Sequence, residues 1–73
     1  MYWKKRINMI TLEDRGAIII RVNGSLVKRF STEENPERTI ILAREVAKVI
    51  KSAISATGQE AEIAEPGGFG GMR

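Results

Sequence analysis

The chain contains no cysteine and no histidine. Without thiols there is neither a disulfide framework nor a thiolate metal site, and a reducing cytoplasm is the expected compartment. Without imidazole there is no Ser-His or Cys-His pair and no histidine-ligated metal. Asp14 is the only aspartate and falls in a turn, and aromatic residues make up 5% of the chain. These absences remove most catalytic constellations, so the expectation is a protein that is not an enzyme, with no cofactor, no metal and no small-molecule substrate. No apolar run approaches the roughly 18 residues of a membrane span, and the apolar stretch after the basic start MYWKKR is too short for a signal peptide. A soluble chain that does not enter a membrane is expected.

What is present is small and unevenly charged. Seventy-three residues make one domain at most, with a core too small for a large folding margin unless a second copy or a partner adds to it. The net charge is +3, but residues 1 to 29 carry seven basic side chains against two acidic ones, residues 30 to 51 balance, and residues 52 to 73 carry one basic against three acidic. A basic front and an acidic back suit an anionic partner, mutual complementation of the two ends, or simply a solvated surface.

Three strands are read before residue 32. INMITL, residues 7 to 12, has strand composition, but Ile7 and Met9 share one parity while Ile10 and Leu12 share the other. Either both faces are partly covered or a bulge shifts the phase near Met9. Glu13-Asp14-Arg15-Gly16 reads as a turn, AIIIRV (17 to 22) as the strongest strand, and SLVKRFS (25 to 31) as its return. Asn23-Gly24 is the mark of a two-residue type I′ turn, yet an odd-length loop would gather Ile18, Ile20, Val22, Leu26 and Phe30 on one face and leave Arg21 and Arg29 in water. Burial of five side chains at about 1.5 to 3 kcal/mol each outweighs turn preference, so a three-residue or bulged loop is expected.

The only sustained helical period runs from Pro36 to Thr57. Asn35 is the expected N-cap, with Pro36 at the first helical position and Gly58 as the stop. The spacing places Leu42, Val46, Val49, Ala53 and Thr57 on the sheet-facing side, extended by Ile50, Ala43, Ala47 and Ile54, with Arg44, Lys48, Lys51 and Ser55 opposite. A 22-residue helix is about 33 Å long against strands of about 20 Å, so it is expected to overhang its sheet. Glu60-Ala61-Glu62-Ile63 can add a short edge strand. The expected architecture is α+β: a three-stranded antiparallel β-meander with one long amphipathic helix on one face (βββα), a domain over residues 1 to 65 and a flexible Gly-rich tail over 66 to 73.

Two apparent motifs have plainer readings. Glu33, Glu34 and Glu37 match no calcium loop and suit helix N-terminal acidity. Gly67-Gly68-Phe69-Gly70-Gly71 superficially looks like a phosphate loop but lacks the following Lys-Ser/Thr and a helix, and reads as a tail in which Phe69 is a candidate anchor for a partner.

No family motif is present. The strand, strand, strand, helix order of these segments resembles small DNA-reading domains that insert a three-stranded sheet into the major groove, and the compact, catalytically bare chain resembles many short phage and plasmid accessory proteins. Two functions follow as expectations. The first is a non-catalytic module that binds a protein partner or itself as a homodimer, through Ile19 and Val27 on the outer sheet face, Ile40 and Ile41 on the helix, or Phe69. The second is a nucleic-acid-binding domain using the arm Lys4, Lys5 and Arg6, the sheet residues Arg21 and Arg29, and the helix stripe Arg44, Lys48 and Lys51.

Overall fold

The computed structural model describes residues 6–31 and 35–65. Within them, three antiparallel strands, a helix and a fourth strand form an α+β fold with one sheet. The strands are β1 (Ile7–Asp14), β2 (Ala17–Val22), β3 (Ser25–Ser31) and β4 (Glu60–Ala64), and the helix α1 spans Pro36–Ala56. The sheet order is β3-β2-β1-β4, so the meander occupies one side and β4 joins the free edge of β1, parallel to it. Lys4, Lys5, Glu33, Glu34, Phe69 and the 66 to 73 tail lie outside the described residues.

β1 resolves its mixed parity without a bulge, because its pairing with β2 and β4 is regular throughout. Ile10 and Leu12 point to the helix and are fully buried, while Ile7 and Met9 lie on the outer face and are only partly covered. β2 contributes Ile18 and Ile20 to the same inner face.

The β2–β3 hairpin satisfies both of its conflicting signals. Asn23 and Gly24 both have positive φ, 52° and 87°, the conformation of a type I′ turn, and Val22 faces Ser25 across it. That register alone would turn Phe30 outward. The ladder shifts between Ile20 and Arg21, so that Arg21 faces Leu26 and Ile20 faces Lys28, which makes Val27 the extra residue of a bulge. The bulge therefore lies in the strand and not in the loop. Phe30 returns to the inner face opposite Ile18, but Leu26 is left on the outer face, where it is exposed, contrary to the inward position expected for it.

The helix begins as its sequence dictates. The Asn35 side chain accepts a hydrogen bond from the Arg38 N–H at 3.0 Å, and Pro36 occupies the first turn, where a missing N–H costs nothing. Thr57 caps the other end and Gly58 follows with φ +86°. The face it presents differs from the one expected. Ile40, Ala43 and Ala47 are the buried residues, with Val46, Ile50 and Ile54 packed beside them. Two alanines at the centre of the contact let the helix backbone come close to the sheet, where a Leu- or Val-centred face would hold it away.

β4 is better held than its single isoleucine suggests. Ala61 is buried and Ile63 half-buried in the cluster that also takes in Ile50 and Ile54, so this strand covers the last turns of the helix. The overhang is small, since a 21-residue helix is about 32 Å long and the eight-residue β1 about 27 Å. Two polar devices fix β4 at its ends. Asn8 Nδ2 donates to Gln59 Oε1 and to the Glu60 carbonyl, both at 3.0 Å, and Arg44 makes a bidentate pair with Glu65 at 2.8 and 3.0 Å. No described helix is long and apolar enough to cross a membrane.

Candidate interaction surface

Among the described residues no buried side-chain nitrogen or oxygen lacks a hydrogen-bond partner, and no three acidic side chains gather where they could hold a metal ion. No polar or charged residue is buried among the described residues, and the charged side chains lie on the surfaces of the fold. Any function these residues carry is therefore read from surfaces.

The apolar arc of the helix is about 180° wide, and the sheet uses only half of it. At 100° per residue, Ile40, Ala43, Ala47, Ile50 and Ile54 occupy the half that meets the strands. The other half holds Leu42, Val46, Val49 and Ala53. Leu42 is 52% exposed and Val49 67% exposed, Ala53 is exposed, and Val46 is shared with the core. The steps of four, three and four residues between them draw a straight seam along the helix, the spacing of helix-to-helix contacts. Arg44 reaches Glu65 just beyond β4 from the opposite flank, so the seam runs along the side of the helix nearer β3.

The expected protein-interface residues disperse. Ile40 is 4% exposed and belongs to the core, because the helix is turned toward the Ala43–Ala47 side; it cannot meet a partner while the domain is folded. Ile41 is 61% exposed but stands on the polar side with Glu45 and Lys48, a single aliphatic of the kind ordinary surfaces carry. Ile19 is half-buried on the outer sheet face, between Arg29 on β3 and Glu13 on β1. Val27, about half exposed, is the bulge residue. The outer face alternates apolar and charged side chains and offers no continuous apolar patch. Phe69 lies outside the described residues.

The cations disperse as well. Arg21 donates to the Gly24 carbonyl at 3.4 Å and sits 3.6 Å from Glu13, which also pairs with Arg15. Arg29 is exposed on that outer face, which also carries Glu60 and Glu62 from β4. Arg44, Lys48 and Lys51 are on the helix, across the sheet from Arg21 and Arg29. Of these, Arg44 is engaged by Glu65, whose hydrogen bonds push its guanidinium still further above the ordinary arginine range, and Lys48 lies 3.6 Å from Glu45. Arg6 is exposed at the start of β1, and Lys4 and Lys5 lie outside the described residues.

Both edges of the sheet are guarded. All of β3 but Phe30 is exposed, yet it carries Lys28, Arg29 and the bulge, with the Lys28 ammonium 5.7 Å from the Phe30 ring centre. β4 is five residues long and presents Glu60 and Glu62. Charge, irregularity and shortness at an edge all oppose the addition of a further strand. The seam on the helix has no such guard, and sequence reasoning missed it because those side chains were assigned to the core.

The class this defines is a small four-stranded α+β domain with one open apolar helix flank. No family model matches the chain, and no curated protein or solved structure is significantly similar to it.

Proposed function

We propose that this protein is a small non-catalytic interaction module of the cytoplasm that binds a protein through the Leu42–Ala53 seam of its helix. The observation that carries the reading is the exposure of Leu42 and Val49 on a helix whose core-facing half is already filled by other residues. Large aliphatics that the fold does not use are retained on a surface at a cost in solubility, and a partner offsets that cost. The mode is helix-in-groove or helix-on-helix recognition, read through anchors at i, i+4, i+7 and i+11.

The competing reading, a nucleic-acid-binding domain, draws on the basic residues. It is weakened by their division between two sides of the sheet and by the carboxylates beside Arg21, Arg44 and Lys48. One experiment separates the two: affinity capture by the full chain and by its Val49→Glu variant, with and without nuclease. The module reading expects nuclease-resistant capture, or self-association, that Val49→Glu abolishes. Capture that disappears with nuclease and ignores Val49→Glu would establish the nucleic-acid reading in its place.

A further inference from the structure

We infer that the occupant of the seam is a second copy of the same chain, bound through an antiparallel pairing of the two helices; this rests on the interaction-module reading and names its partner.

The order of side-chain sizes along the seam favours an antiparallel pair. A two-fold axis crossing the helix between residues 47 and 48 places Leu42 against Ala53 of the second copy and Val46 against Val49, and then repeats both pairs in reverse. The largest side chain meets the smallest, and the two intermediate ones meet each other. The four layers thus have similar volume and can close without a gap or a clash, which a parallel pairing, with Leu42 on Leu42 and Ala53 on Ala53, does not achieve.

Charge gives a second, independent line. The last turn of the helix contains no basic residue, so apart from the cap, in which the Thr57 hydroxyl donates to the Ile54 carbonyl at 2.6 Å, no cationic side chain of its own offsets the partial negative charge at that end. In the antiparallel pair Arg38, which lies on the solvent side of the seam in the first turns, comes alongside Thr57 and the terminal carbonyls of the other helix. Glu45, the next residue on that side, faces Ser52. No like charges meet across the pair, and the opposed helix dipoles favour it. A parallel pair would instead align Arg38 with Arg38 and Glu45 with Glu45.

The seam from Leu42 to Ala53 is only about 18 Å long, so the contact belongs to the small, reversible class, with a dissociation constant of roughly micromolar to millimolar. The pairing of β3 edges is not part of it, since the Lys28, Arg29 and bulge features oppose that approach.

The test uses the complete 73-residue chain. Sedimentation over a concentration series is expected to show a monomer–dimer equilibrium, with Val49→Glu weakening it by roughly a hundredfold or more because each copy carries an uncompensated charge into the seam. Val49 is exposed in the monomer, so circular dichroism of the variant is expected to be unchanged. The chain has no cysteine, which allows directional cross-linking. An oxidised mixture of the Leu42→Cys and Ala53→Cys variants is expected to give the mixed dimer. Each variant alone, and the exposed polar-side control Ser55→Cys, is expected to give little. Efficient self-cross-linking of Leu42→Cys alone would overturn the antiparallel arrangement, and so would a dimer indifferent to Val49→Glu. A chain that stays monomeric at millimolar concentration, while Val49→Glu still abolishes capture of another protein, would overturn the self-pairing and leave the module reading standing. If the chain stays monomeric and Val49→Glu changes nothing, both fall.

Discussion

Asn23 ties the lower end of the sheet together through its backbone and its side chain at once. Its N–H donates to the Met9 carbonyl at 2.8 Å, its Oδ1 accepts from the Met9 N–H at 2.9 Å, and its Nδ2 donates to Asn8 Oδ1 at 2.9 Å. Asn8 passes the connection on to Gln59 and Glu60, so one relay of amides joins the β2–β3 turn, the start of β1 and the start of β4. Asn23 also sits at φ 52°, which asparagine tolerates better than most residues. Asn23→Ala is therefore expected to destabilise the fold by about 1 to 2 kcal/mol, from lost hydrogen bonds and backbone strain together, and Asn23→Gly by about half as much because it keeps the backbone relaxed. Urea denaturation of the two variants checks this, and equal losses would mean that the backbone strain at φ 52° contributes little and the side-chain hydrogen bonds account for the whole effect. The Asn35-Pro36 start of the helix was legible from the sequence because capping is local chemistry between neighbours. The Asn8–Asn23–Gln59 relay was not, since contacts across 15 and 51 positions leave no periodic trace.

At the scale of elements, the helix shows what periodicity can and cannot decide. Its span and both of its ends follow from the sequence, but an apolar arc that covers half the circumference has two candidate centres. The sheet selects the one with Ala43 and Ala47, which permits close approach and admits Ile40, Ile50 and Ile54 around it. Leu42 and Val49, the large aliphatics at the centre of the other half, are left outside. The consequence is an asymmetry between adjacent positions. Ile40→Ala is expected to cost about 2 to 4 kcal/mol through the cavity it opens, whereas Leu42→Ala, measured in dilute solution, is expected to stay within about 0.5 kcal/mol of the parent. Thermal or urea unfolding of both variants at low concentration decides it, and a reversed order would place the sheet on the other half of the arc. The β3 strand teaches the same lesson about turns. Asn23-Gly24 and the inward Phe30 were each legible, and their conflict was real; the bulge at Val27 that reconciles them lies three residues beyond the turn that signalled it.

At the scale of the molecule, the surfaces divide by what each can accept. The outer sheet face mixes Ile19 and Leu26 with Arg29, Arg21 and Glu13; the two edges carry charge of opposite sign; and the flank of the helix toward β4 is closed by the Arg44–Glu65 pair. The helix flank toward β3 is the one continuous apolar strip among the described residues. The central claim is that this strip is a contact surface for a second copy. Methyl NMR spectra of the complete chain, recorded on dilution from millimolar to micromolar concentration, test it most directly. The methyl resonances of Leu42, Val46 and Val49 are expected to move with concentration along a single binding curve, while those of Ile10, Ile18 and Val27 stay in place. Shifts confined to Val27 and its neighbours on β3, or no shift anywhere across that range, would contradict it.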